Sequence, residues 1–179
     1  MKLLIIYGTT EGQTRKIAHY IESILKNANH EVTIADTTAD PPSPKSYDAI
    51  LIGSSIHMHK YQSAVKHYIK KYVADLNQMP AAFFSVSLAV ASDLDDEHLE
   101  VQKITNGFLE QTGWQPILIS QIAGALKYTE YDYFKRLIMK MISKKQGGAT
   151  DTSQDYEYTN WDEVAKFTNE FVNKISQKS

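Results

Sequence analysis

Leu3-Leu4-Ile5-Ile6-Tyr7-Gly8-Thr9-Thr10-Glu11-Gly12-Gln13-Thr14 decides how the rest of this chain is read. The unbroken apolar run Leu3–Tyr7 is the pattern of a strand buried on both faces. It breaks into a Gly- and Thr-rich turn and re-emerges as a helix. Such a junction can cradle an anion: glycine lets the backbone approach a ligand, hydroxyls donate, and the free N–H groups of the helix start point at the charge. No Gly-Lys-Ser/Thr closes the loop, and Gly-x-Gly-x-x-Gly is absent, so neither the P-loop nor the dinucleotide fingerprint is present. Three threonines at a helix start suit a phosphate monoester. The alternative is an ordinary strand–turn–helix junction capped by threonines.

From that junction onward strands and helices alternate. Apolar periodicity predicts a helix over Thr14–Asn27, with Ile17, Ala18, Ile21, Ile24 and Leu25 on one face. Glu31–Ala35 reads as a second strand. Asp36–Tyr47, with Pro41, Pro42 and Pro44, reads as a loop that propagates no helix. Ala49–Gly53 is a third, apolar strand, and Ser63–Leu76 a helix with Val65, Tyr68, Ile69, Tyr72 and Val73 on one side. Ala81–Val86 makes strand four, Glu97–Gln111 a helix and Ile117–Ala123 strand five. Asn160–Ile175 is a final amphipathic helix with Asn160 as its N-cap. Apolar strands between helices call for a parallel sheet covered on both faces, joined by right-handed crossovers. The expected fold is α/β: a doubly wound, five-stranded parallel sheet with its ligand crevice at the strands' carboxyl ends.

The 179 residues suit one domain, spanning 1–179, with 127–155 as an insertion. Lys and Arg number 19 against 21 Asp and Glu, a net charge of −2 that argues against nucleic acid as a partner. The absence of cysteine excludes thiol catalysis, disulfides and cysteine-ligated metal centres. No secretory pattern precedes the first strand, and no apolar run approaches the ~18 residues of a membrane span. A soluble protein, or one that only touches a membrane, is expected.

Three loops fall at the carboxyl edge of the predicted sheet: Gly8–Thr14, Gly53–Tyr61 and Ser85–Val90. One phosphate-type loop and two small-residue loops suit a ligand with a phosphate tail and a flat ring, such as FMN. Backbone groups of the latter two would bond the ring edge, while Ile56, Met58, Tyr61 or Leu88 would cover its faces. His57 and His59 could present two imidazoles to a metal, but no acidic or histidine cluster accompanies them, and no metal is expected. A receiver domain shares this order of elements but needs acidic residues where Gly8-Thr9-Thr10 and Gly53-Ser54-Ser55 stand.

The insertion mixes Lys127, Lys135, Arg136, Lys140, Lys144 and Lys145 with Tyr128, Tyr131, Tyr133, Phe134, Leu137, Ile138, Met139, Met141 and Ile142. A helix over Tyr131–Lys145 would gather the apolar side chains with basic groups at their flanks, the composition of a helix lying in a lipid–water interface. A helix that packs on the domain and exposes its lysines is the plainer reading.

The cradle Thr9–Thr14 resembles the FMN phosphate loop of flavodoxins, Thr/Ser-x-Thr-Gly-x-Thr, with Glu11 where flavodoxins carry a hydroxyl residue. Glu11-Gly12-Gln13-Thr14-Arg15, Ile52–Ile56, Met79–Val86, Ile122–Tyr128, Met139–Ile142, Gly147–Thr152 and Tyr158–Ala165 resemble the flavodoxin-like protoporphyrinogen IX dehydrogenases of bacteria. These blocks run nearly the length of the chain. The resemblance implies a flavodoxin-like fold, FMN as cofactor, and oxidation of protoporphyrinogen IX to protoporphyrin IX. Six electrons and six protons would leave the substrate, the electrons passing through FMN to a membrane quinone, menaquinone or ubiquinone. Thr9, Thr10, Glu11, Gly12, Gln13 and Thr14 would hold the phosphate. Ser54, Ser55, Ile56, His57, Ser85, Val86, Ser87, Leu88 and Ala89 would border the isoalloxazine. The insertion would contact quinone, porphyrinogen or an anionic membrane, placing the protein in the cytoplasm against the cytoplasmic face of the inner membrane. No catalytic acid or base is indicated, and the acidic run Asp93, Asp95, Asp96, Glu97 departs from the family pattern. A flavodoxin-type electron carrier is the second reading, although such carriers are usually strongly acidic and often stack an aromatic where Leu88 stands.

Overall fold

The computed structural model describes residues 1–126 and 156–177, so the segment 127–155 read above as a basic-aromatic insertion lies outside the described residues. Strand β1 (Lys2–Gly8) leads through α1 (Gln13–Asn27) to β2 (Glu31–Asp36). β3 (Ala49–His57) is followed by the short β4 (Lys60–Tyr61), α2 (Ser63–Leu76) and β5 (Ala81–Ser87). Then come α3 (Asp95–Thr112), β6 (Leu118–Ala123), the two-residue strands β7 (Ala125–Leu126) and β8 (Tyr156–Glu157), and α4 (Trp161–Ser176).

The main sheet runs β2-β1-β3-β5-β6, all parallel, with β4 added antiparallel to β3. Alternation along each strand sends one set of side chains to each face. Leu3, Ile5, Leu51 and Phe84 meet Ile17, Ile21, Leu25, Val164, Phe167 and Phe171 of α1 and α4. Leu4, Ile6, Ile50, Ile52 and Phe83 meet Val65, Ile69, Phe108 and Trp114 on the side of α2 and α3. Each such aliphatic or aromatic side chain contributes about 1.5–3 kcal/mol on burial, enough in sum to fix the layers. The five parallel strands, their order and both helical faces agree with the reading from sequence.

Several boundaries differ for physical reasons. β3 does not stop at Gly53 but runs on to His57, and what reads as a loop is a hairpin pairing Ile56 with Tyr61 and His57 with Lys60. The polar Ser54 and Ser55 hide the strand from an apolar pattern. α3 starts at Asp95, so Asp95, Asp96 and Glu97 form its first turn, where the positive end of the helix dipole favours acids. One 3-10 turn, Pro44–Ser46, forms inside the proline-rich connection because Pro44 at its start has no N–H to satisfy. At α4, Asn160 caps as expected, its side chain accepting from the N–H groups of Asp162 and Glu163 at 3.1 and 3.3 Å.

The hairpin turn is a strained feature. Met58 and His59 both take left-handed backbone conformations, φ 48° and 61°, in a two-residue connection that favours Asn-Gly. Holding ordinary L-residues there costs roughly 1–2 kcal/mol each. The double change Met58→Asn, His59→Gly is expected to raise the melting temperature by about 2–4 °C per kcal/mol recovered. Thermal unfolding monitored by circular dichroism checks this, and an unchanged or lower midpoint would show that the turn stores no strain.

Candidate functional site

The crossovers from β1 and β3 leave toward opposite edges of the sheet, and this switch point is where doubly wound folds open a crevice. A cleft lies there, walled by the turn after β1, the ends of β3 and β5, and the Gly124-Ala125 corner beyond β6.

The first wall is the turn between β1 and α1. Gly12 stands at the N-cap of α1 with φ 92°, a left-handed value open to glycine without steric cost. Thr9 holds the turn, its Oγ1 accepting from the Gly12 N–H at 2.9 Å. Among the described residues no side chain caps α1, so the N–H groups of its first turn and the positive end of its dipole are open to an anionic group. Thr14 is fully buried on the cleft wall, and its Oγ1 has no hydrogen-bond partner among the described residues. A buried hydroxyl in that state costs about 1–3 kcal/mol, which an anionic acceptor in the cleft would relieve.

Gln62, just ahead of α2, ties the first two walls together. Its Nε2 donates to Thr10 Oγ1 at 3.0 Å and to Ser55 Oγ, while its Oε1 accepts from Ser54 Oγ. The third wall is braced from α1: Gln13 Nε2 donates to Thr159 Oγ1 at 2.8 Å, and Thr159 Oγ1 donates to the Ala123 carbonyl at 2.7 Å. Lys16 pairs with Glu157 of β8, and this ammonium holds the Glu157 carboxyl below the usual carboxylate range. The Thr9 turn, the Gln62 hub and the Gln13–Thr159 strut thus brace the walls of the cleft, which Glu11 also lines.

Of the residues singled out from sequence, Thr9, Thr10, Glu11, Gln13, Thr14, Ser55, Ile56, His57, Val86, Ser87 and Leu88 line one cleft. Gly12 shapes the turn without lining it. Ser54 and Ser85 are register partners, both fully buried, and their hydroxyls turn inward to Gln62 and Tyr61. Ala89 is buried, its N–H donating to Ser87 Oγ at 3.2 Å. Tyr61 does not cover the cleft: its ring packs against Phe83 and Phe108, with centroids 5.3 and 4.6 Å away. Its hydroxyl donates to Ser85 Oγ at 2.7 Å and lies 2.8 Å from Thr105 Oγ1, and burial pushes its pKa up. The hairpin sends the two histidines apart, His57 to the cleft and His59 to Glu100 of α3, Nδ1 to Oε1 3.5 Å. Gln62, Gly124 and Ala125 were missed as site residues. A lone glutamine ahead of a helix carries no motif, and the Ile122–Tyr128 block carried the family resemblance without marking Gly124 or Ala125 as site residues.

Comparison with known proteins gives the lineage. A family model described as a flavodoxin domain matches residues 4–153. A protein of Escherichia coli (strain K12) named Protoporphyrinogen IX dehydrogenase (quinone) is 38% identical over 173 residues, covering 96% of this chain and 95% of its own. A Leishmania major protein of the same name is 34% identical over 176 residues, covering 96% of this chain and 74% of its own. Among solved structures, oxidised flavodoxin 1 from Bacillus cereus superposes with a TM-score of 0.60 at 16% identity, covering 97% of this chain and 98% of its own, a likeness of fold. The chain therefore belongs to the flavodoxin superfamily and, within it, to the family of the quinone-dependent protoporphyrinogen IX dehydrogenases.

Proposed function

We propose that this protein is an FMN-dependent oxidoreductase that converts protoporphyrinogen IX to protoporphyrin IX with a quinone as electron acceptor. The observation that carries the reading is the correspondence, over 96% of the chain, with relatives bearing that activity in their names. A flavodoxin-type carrier is not favoured, because those relatives are enzymes.

The residues present fit FMN. The uncapped start of α1 and the unpartnered Thr14 hydroxyl suit its phosphate, and Ser55, Ile56, His57, Val86, Ser87 and Leu88 line the part of the cleft where its ring would lie. When bound, FMN supplies the redox chemistry, accepting electrons from one partner and releasing them to another. The chain's part is to hold the phosphate at the helix start, to keep the ring between the ends of β3 and β5, and to brace both walls through Gln62 and Gln13. Menaquinone or ubiquinone as the acceptor fits a quinone-named family.

The test is anaerobic. FMN-loaded protein mixed with protoporphyrinogen IX and a soluble quinone should develop porphyrin fluorescence, with three quinones reduced for each porphyrin formed. Reducible FMN without porphyrin would instead support an electron carrier.

Contact with an anionic membrane is part of the proposal and rests on the composition of 127–155. Among the described residues, no helix is long and apolar enough to cross a membrane. Each basic residue near an anionic surface is worth on the order of 1 kcal/mol, so changing Lys135, Arg136 and Lys140 to Glu should sharply reduce sedimentation with anionic liposomes. Equal cosedimentation of the two forms would remove the membrane contact.

A further inference from the structure

A second cavity lies across the β3–β4 hairpin from the cleft. Ser55, Ile56 and His57 of β3 face the cleft, whereas His59, Lys60 and Tyr61 line a groove of about 520 Å³ bounded by the start of α2 and the middle of α3. Its size falls within the range of sites for small organic ligands.

The lining is amphipathic and cationic. Lys60, Lys66 and Lys103 reach it from three different elements, β4, α2 and α3. None of the three makes an ion pair among the described residues, and Lys66 Nζ donates instead to the neutral Gln111 Oε1 at 2.7 Å. The carboxylate at the rim, Glu100, is engaged with His59. The start of α2, at Ser63, adds the positive end of an uncapped helix dipole. Three ammoniums therefore gather at one cavity in a chain of net charge −2, against the carboxylate of Glu100 beside His59. Between them lies an apolar floor of Tyr61, Ile104 and Phe108, held rigid by the Tyr61 hydroxyl bonds to β5 and α3. Gly107 opens the floor further: a Cβ built there would meet nothing within 4 Å.

We infer that this groove binds the substrate's two propionate carboxylates, with Lys60 and Lys103 as the principal anion contacts and Tyr61, Ile104 and Phe108 beneath the apolar macrocycle. The inference rests on the proposed reaction and locates its substrate. A dianion with its charges on one edge of an apolar body matches ammoniums at the rim and aromatic carbon below, and electrostatic complementarity of this kind selects the partner. The groove shares the hairpin with the cleft, so a ligand seated there is adjacent to the wall that borders the flavin.

The experiment titrates FMN-loaded protein with protoporphyrin IX, which carries the same two propionates, and in parallel with its uncharged dimethyl ester, following quenching of porphyrin fluorescence. Lys60→Glu combined with Lys103→Glu should weaken protoporphyrin IX by about tenfold or more and leave the ester unaffected. Gly107→Leu, which fills the floor with a side chain, should block both ligands. The flavin absorption spectrum serves as the control for an intact cleft. In turnover, KM for protoporphyrinogen should rise in the charge-reversed form while kcat holds. Unaltered protoporphyrin IX affinity in that form overturns the groove assignment while turnover upholds the proposed reaction. Absence of turnover in every form, with binding still lost on charge reversal, overturns the reaction and not the groove.

Discussion

Thr14→Val is expected to raise the dissociation constant for FMN by about tenfold to a hundredfold, the worth of one hydrogen bond to a charged acceptor, roughly 1.5–3 kcal/mol. Thr14 is fully buried on the cleft wall, and its Oγ1 has no partner among the described residues. Valine keeps the shape and removes only the hydroxyl. The same change should therefore leave the flavin-free protein as stable as before or more so, because a buried unsatisfied group has been deleted. This opposition of signs separates a ligand-binding role from a packing role. Fluorimetric titration with FMN measures the first quantity, and thermal unfolding of the flavin-free protein measures the second. A lower melting temperature with unchanged FMN affinity would return Thr14 to the hydrophobic core and remove it from the site.

Gly53→Ala is expected to lower the melting temperature by about 2–12 °C, from an overpacking cost of roughly 1–3 kcal/mol. Gly53 pairs with Phe84 across β3 and β5, and the Phe84 ring lies over it, so that an added Cβ would sit 2.0 Å from Cζ. Phe84 is itself fully buried and packs edge-on against Phe167 of α4, leaving the ring no free direction of retreat. A companion change, Phe84→Leu, should restore much of the loss in the double variant. If Gly53→Ala alone unfolds at the parent temperature, the ring does not constrain this position. Because Ser54 and Ser55 follow directly and bond to Gln62, displacement of β3 is also expected to loosen the second wall of the cleft.

The glycine illustrates how far the sequence could be read. Gly53 ends an apolar run, and the sequence pattern alone ends the strand there. In the fold it is a mid-strand position that makes room for a ring from the neighbouring strand. The reading of Tyr61 failed for a related reason: an aromatic residue beside a ligand loop suits a flavin face equally well. Its side chain goes instead to Phe83 and Phe108, because β4 folds back on β3 and turns it toward α3. Ser54 and Ser85 differ from Ser55 and Ser87 only in strand parity or turn position, which an expected loop cannot supply.

By itself the sequence determined the parallel α/β class, the five strands of the main sheet, the two helical faces and the strand–turn–helix junction at Gly8–Thr14. These depend on local periodicity and on the backbone freedom of one or two glycines, and such terms act between residues a few positions apart. The tertiary structure alone decided that Gln62 joins Thr10, 52 positions away, to Ser54 and Ser55. It alone placed Gln13 on Thr159 and brought Lys60, Lys66 and Lys103 around one groove. A polar side chain carries no periodicity that names its partner; its hydrogen bonds and charges are assigned only once packing of the two apolar faces has set which strand ends and helix starts lie together.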